Sequence, residues 1–154
     1  MIFRLSLLGF ISFISLSLYA QNIQSFPGCD YSQVEVHRLN AREGHSYARS
    51  ALVCQTGDFK VLSGPEVNAF VALIQDSASY GDIMAACHQP MIGLVFYQED
   101  KVCAYLSLCL SCNNVYCEPA LNLNLDYEKS GFSNHTRKLI RKILSEWNYL
   151  FCRL

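Results

Sequence analysis

Between residues 33 and 39 apolar and polar side chains alternate, with Val34 and Val36 set against Glu35 and His37, the period-two pattern of a half-buried strand. Short apolar runs at 51–54 and 59–62 flank Thr56-Gly57-Asp58, a turn sequence, and predict a hairpin. The stretch 42–50, with Gly44 among charged and polar residues, reads as a loop. Val67, Phe70, Val71 and Ile74 then recur at helical spacing and predict a helix over 64–76. Ser63 as N-cap, Glu66 three residues later and Pro65 in the first turn mark its start. Residues 77–86 read as a loop or a short helical turn. Met91 to Tyr97 is almost wholly apolar and Val102 to Leu108 alternates, so the two predict a β-hairpin whose first strand is central. Asn113-Asn114 is a second turn, since Asn tolerates the left-handed conformation, and 115–117 returns as a short strand. A loop over 119–131 leads to Ser133, which caps a last helix reaching about residue 150. Its apolar stripe is Leu139, Ile140, Ile143, Leu144, Trp147 and Phe151. The element order predicts an α+β fold: a mainly antiparallel sheet of four to six strands with two main helices, 64–76 and 133–150, packed on a face.

The first 20 residues follow a different rule. One positive charge at Arg4, an apolar run from Leu5 to Leu18 and a small residue at Ala20 make a signal peptide cleaved after Ala20. The alternative, an uncleaved anchor, is weakened by Ser6, Ser12, Ser15 and Ser17. The mature product, 21–154, is then a single exported, cysteine-rich domain in the periplasm or outside the cell, with no further transmembrane segment expected.

Composition narrows the function classes. Of 154 residues, 51% are hydrophobic and 16% charged, which excludes a disordered chain. A net charge of -1 leaves no global basic field, so nucleic acid is not an expected partner. Glycine-rich phosphate loops, Gly-x-Ser-x-Gly and His-Glu-x-x-His are absent, and no catalytic set emerges. Export favours disulfides among the eight cysteines, Cys29, Cys54, Cys87, Cys103, Cys109, Cys112, Cys117 and Cys152, although their pairing is not readable from composition.

Register brings some of them together. A hairpin connection of two residues, Glu99-Asp100, or of four, Gln98 to Lys101, puts Tyr97 opposite Val102, so paired residue numbers sum to 199. Extended backwards, the ladder sets Pro90 opposite Cys109 and Cys87 opposite Cys112, and makes Cys87, His88, Cys109 and Cys112 neighbours at the open end of the hairpin. On the second strand Cys103 shares a face with Tyr105, Ser107 and Cys109, about 20 Å from Cys109 and too far to pair with it. Three chemistries fit the cluster. Cys87 bonds Cys109 or Cys112 and clamps the strand ends. Alternatively, Cys109-Leu-Ser-Cys112 with Cys87 and His88, or with Cys117, forms a tetrahedral zinc site. In the third, the Cys-x-x-Cys exchanges disulfides, although it follows a strand and not the helix N-terminus that such chemistry prefers. Asn113 stands where covalent haem attachment needs His.

Cys87-His-Gln-Pro90, Gly93-Leu-Val-Phe-Tyr97 and Ala104-Tyr-Leu-Ser-Leu-Cys109-Leu-Ser-Cys112 together resemble a pattern in small uncharacterised secreted bacterial proteins. These carry Cys-x-x-Pro, a Val-Phe-Tyr strand and a strand ending in Cys-x-x-Cys. The resemblance implies no activity, and Met91 and Leu110 stand where the pattern has Arg and an aromatic. It singles out Cys87, Cys109 and Cys112, an odd number that favours a site or an exchanging thiol over a plain bridge.

Other candidates are weaker. Cys87 and His88 are adjacent, and adjacent strand side chains point to opposite faces, which argues against a nucleophile and base. His37, His45 and His135 show no ligand spacing, and Asp126 and Glu128 lie in a loop. Asn134-His-Thr136 matches a glycosylation acceptor, meaningful only in a eukaryotic secretory route. Arg137, Lys138, Arg141 and Lys142 form a basic stripe near the N-terminal half of the last helix, where positive charge opposes the helix dipole. That stripe would suit an acidic protein or an anionic surface. The sequence therefore reads as an exported, disulfide-stabilised binding or structural module without a cofactor. Its rival is a thiol-disulfide exchange or metal-binding protein using Cys87, Cys109 and Cys112.

Overall fold

The computed structural model describes residues 25–40, 50–53, 55–126 and 129–149. The signal segment, His45, Cys54, Glu128, Phe151, Cys152 and most of the 42–50 loop lie outside the described residues. The elements follow as β1 (Gln33–Leu39), α1 (Ser50–Val53), β2 (Gln55–Val61), α2 (Gly64–Gln75), β3 (Tyr80–Asp82), β4 (Ile92–Gln98), β5 (Lys101–Cys109), β6 (Asn114–Glu118), β7 (Gly131–Phe132) and α3 (Asn134–Glu146). A five-stranded antiparallel sheet has the order β2-β1-β4-β5-β6, and β3 pairs with β7 in a second, two-stranded sheet. The fold is α+β, with β4 central as its two-sided apolarity requires.

One sheet face carries the main core. Val34, Val36, Ile92, Leu94, Phe96, Ala104, Leu106 and Leu108 pack against Val67, Phe70 and Ile74 of α2 and Ile140, Leu144 and Trp147 just past or within α3. Phe70 and Trp147 close the helix pair, their rings 5.4 Å apart. At the start of α2 the Glu66 carboxylate accepts from both the Ser63 N–H and its hydroxyl, each at 2.7 Å, and from Lys60 Nζ at 2.8 Å. These donors hold the Glu66 carboxyl down at about 2.

The structure departs from sequence reading in three places. The hairpin over 51–54 and 59–62 does not form: 50–53 is one helical turn, and 55–61 is a single strand paired with β1. The pairs Glu35↔Val61 to His37↔Phe59 run regularly, then the register shifts before Leu39↔Gln55. Gly57, at φ 83°, therefore serves a bulge within β2, because a left-handed glycine fits a bulge as well as a turn. The last helix stops at Glu146 and not near 150. Asn148 adopts φ 63°, its N–H donates to Ser145 O, and the Tyr149 N–H donates to Leu144 O at 2.7 Å, a Schellman ending. Finally, Tyr97↔Val102 and Gln98↔Lys101 keep the sum of 199, but from Phe96↔Ala104 onwards the partners shift by one, leaving Cys103 as a bulged residue. Cys103 thus packs towards the helix-side core, away from the face carrying Tyr105, Ser107 and Cys109.

The second face carries α1. Gly93 is required there, since a Cβ would lie 2.9 Å from both the Cα and the Cβ of Ala51. The same face presents Ser107, Cys109, Asn114 and Tyr116, and the candidate site grows on it.

Candidate functional site

β5 ends at Cys109, which pairs with Asn114 at the start of β6, and Leu110 to Asn113 turn the chain between them. Asn113 takes φ 55°, the left-handed conformation that its side chain tolerates. Within this turn the Cys112 N–H reaches Cys109 Sγ at 3.3 Å, and Ser111 Oγ lies 3.2 Å from the same sulfur. The segment 83–91 lies along the turn. Cys87 is joined to Cys112 by a disulfide with a Cα separation of 5.7 Å, and the Ala85 N–H donates to Cys112 O at 2.9 Å.

Polar side chains fasten the same segment from beneath. Asn114 Nδ2 donates to the carbonyls of Cys87 at 2.7 Å and Ala85 at 3.4 Å, so its oxygen faces His88 Nδ1 and accepts from it. With the ring proton on Nδ1, Nε2 is left to accept from the Ser107 hydroxyl at 2.9 Å. The His88 ring also meets Tyr116 edge-on at 4.5 Å. Ser, His and Asn in this order resemble a nucleophile, a base and its orienter. Ser107 is however 0% exposed, Asn114 1% and His88 8%, so no substrate reaches the hydroxyl. The chain holds segment 83–91 to the sheet. Neighbouring Asn113 extends the fastening, donating from Nδ2 to Phe132 O at 3.0 Å and Ile83 O at 3.2 Å.

The antiparallel register predicts a cluster of Cys87, His88, Cys109 and Cys112; Ser107, Asn114 and Tyr116 join it from the sheet face, a role the register does not predict. The signal available for Ser107 is a hydroxyl inside the otherwise apolar run 104–109, where a buried polar group needs a partner.

The zinc alternative finds no ligand set. Cys87 and Cys112 are spent in the bridge and both His88 nitrogens face other partners, leaving Cys109 as the one thiol of the cluster. Among the described residues no three His, Cys, Asp or Glu side chains are placed to share an ion. Cys117, the other described free thiol, points to the helix side opposite Leu106, and burial pushes its thiol pKa far up. A second bridge joins Cys29 to Cys103, with a Cα separation of 6.3 Å.

The basic stripe of α3 is partly neutralised. Arg137 pairs with Asp82 at 3.1 Å and Lys142 with Glu146 at 3.9 Å, whereas Lys138 is exposed on the same helix. His37 is buried, stacks on Phe59 and meets Glu35 Oε2 through Nε2 at 2.9 Å. The same carboxylate accepts from the Tyr97 hydroxyl at 3.1 Å; burial and then the Glu35 charge raise the Tyr97 pKa. His135 is exposed on α3. Beyond β6, a groove of about 330 Å³ runs between Tyr80, Met84, Val115 and the half-buried Leu121, Leu123 and Leu125.

In comparisons with known proteins, no family model, no curated protein and no solved structure matches this chain.

Proposed function

We propose that the protein is an exported, disulfide-clamped binding or structural module that works in the periplasm or outside the cell. The observation that carries this reading is the pair of bridges bracing β5, Cys29–Cys103 near its first residues and Cys87–Cys112 just past its last. Disulfides persist in oxidising compartments and are rare where thiols are kept reduced. The signal pattern at 1–20 and the resemblance to secreted bacterial proteins agree with it. Among the described residues no helix is long and apolar enough to cross a membrane. The bridges close sequence separations of 74 and 25 residues. Taken one at a time, the chain-entropy relation gives about 4.4 and about 3.5 kcal/mol for loops of these lengths.

The test is the intact mass of protein collected after export and alkylated in denaturant without reductant. Cys109 and Cys117 are expected to take alkyl groups, and Cys54 and Cys152 add two more unless they are bridged. Two or four adducts on a chain beginning at Gln21 support the reading. Alkylation of all eight cysteines, or a chain still carrying residues 1–20, overturns it.

A further inference from the structure

We propose that Cys87 is a covalent docking point for a disulfide-bearing ligand, uncovered by an internal exchange in which Cys109 replaces it as the partner of Cys112. The inference deepens the function proposed above and rests on its oxidised state.

The three sulfurs differ in what surrounds them. Cys87 is exposed, whereas Cys109 is 1% exposed and Cys112 3%. Cys109 and Cys112 stand at the two ends of one tight turn, and the 3.3 Å contact from the Cys112 N–H to Cys109 Sγ brings the thiol within a side-chain length of the bridge. The same N–H and the Ser111 hydroxyl are placed to donate to Cys109 Sγ and so to stabilise it as the thiolate before it attacks.

In the first step Cys109, as thiolate, attacks Cys112 Sγ. The Cys87–Cys112 bond breaks, a Cys109–Cys112 bond forms, and the proton lost by Cys109 ends on Cys87, with no electrons gained or lost overall. The choice of sulfur follows from burial. Attack on Cys112 expels Cys87, whose thiolate is hydrated, whereas attack on Cys87 would expel the buried Cys112 into a setting that disfavours charge. In the second step the Cys87 thiolate attacks an external disulfide R–S–S–R′. It forms Cys87–S–S–R and releases R′–S⁻, which takes up the proton.

The buried polar chain gives this sequence a frame. His88, Ser107 and Asn114 hold segment 83–91 through hydrogen bonds that do not involve the bridge, so Cys87 stays presented on the surface once its sulfur is released. Ala85, Ala86 and Gln89 beside it are exposed and uncharged, which suits a neutral ligand. Cys117 lies on the other sheet face with its thiol held neutral by burial and takes no part.

The experiment treats the exported protein, purified without reductant and folded, with the neutral disulfide 4,4′-dithiodipyridine. An acid quench and tryptic mapping follow. The peptide 61–101 contains Cys87 as its one cysteine, while Cys103, Cys109, Cys112 and Cys117 share 102–129. The expected result is 61–101 separated from 102–129 and carrying one thiopyridyl group. Cys109→Ser is expected to abolish that label, and Cys117→Ser to leave it. Recovery of 61–101 only in cross-link with 102–129, with label on Cys109 or nowhere, overturns the exchange while leaving the clamped module intact. Eight thiols under denaturing alkylation would overturn both. Should Cys109→Ser fail to fold, the map of the unmodified sequence decides alone.

Discussion

Replacing Cys29 and Cys103 together by Ala removes the bridge that ties the arm of residues 25–32, ahead of β1, to β5, without leaving a lone thiol to scramble with Cys109. The bridge closes a separation of 74 residues. Restoring the freedom of a loop that long to the unfolded chain is worth about 4.4 kcal/mol by the chain-entropy relation. With an unfolding entropy of about 2.1 cal/mol/K per residue over residues 21–154, that loss lowers the melting temperature by about 15 °C. The folded arm is expected to stay docked. Phe26 is 1% exposed and packs edge-on against Phe96 at 5.2 Å, Tyr31 does the same at 5.3 Å, and Gln75 Nε2 donates to Phe26 O. Equilibrium urea denaturation with the remaining bridge intact checks both halves: the midpoint should fall while near-ultraviolet circular dichroism of the native state is retained. The unfolded variant is also less constrained and exposes more surface, so its m-value should rise. A stability change below about 1 kcal/mol, with an unaltered m-value, would refute the reasoning, because a loop this long cannot be cut free so cheaply on that account.

Three other outcomes are expected. Glu66 has a folded pKa near 2 against an ordinary 4.5, so its contribution is fully present above about 4.5 and is lost as pH falls towards 2. Melting curves across that window should show a smaller pH dependence for Glu66→Gln than for the unmodified protein, and parallel profiles would count against the assignment. His88→Ala strips the ring from Asn114 Oδ1 and one partner from Ser107, both essentially unexposed, and should cost about 1–3 kcal/mol for the buried amide oxygen it abandons, read from the urea midpoint. Gly131→Ala would place a Cβ 2.8 and 2.9 Å from the carbonyl oxygens of Ile83 and Asp82 and 2.5 Å from Asn113 Nδ2. Backbone cannot yield as a flexible side chain does, so a loss of about 1–3 kcal/mol is expected, with faster exchange of the β3 and β7 amides; an unchanged midpoint would sink it.

What the sequence disclosed and what it withheld have separate physical causes. Strand β1, helix α2 and the β4–β5 hairpin were legible because each pairs a sustained apolar period with a local boundary signal: Ser63 with Glu66, or Glu99-Asp100, which take φ 47° and 64° in the tight turn. The approach of Cys87 to Cys112 was legible from the antiparallel direction of the two segments, although the ladder ends at Ile92↔Leu108 with its register moved by one, so the pairing of residue numbers does not itself carry through to Cys87. The role of Gly57 was not legible, since a left-handed glycine serves a turn or a bulge and only the neighbouring β1 decides between them. Nor was the fastening of His88, because Ser107 and Asn114 come from different strands and meet it across the sheet face. The early stop of α3 had a signal in Asn148, but the continuing apolar positions up to Phe151 outweighed it.

The bulge at Cys103 shows how one residue connects these points. The Glu99-Asp100 turn fixes Tyr97 opposite Val102, and if that register continued, Cys103, Tyr105, Ser107 and Cys109 would share the face of Phe96, which lies in the main core. Ala104, Leu106 and Leu108 would then face away from it, an inversion of every side chain that a single-residue slip produces. The apolar pattern and the turn thus demand different registers, and the extra residue satisfies both. Beyond it Leu106 and Leu108 return to the core, fully buried, and Ser107 and Cys109 pass to the second face, where His88 and Cys112 meet them. Cys103 itself stays on the helix side, within reach of Cys29 from the arm. The cysteines of β5 are therefore assigned to separate chemistries by backbone register: one is locked into a long-range bridge, and the other is left as a thiol beside the Cys87–Cys112 disulfide.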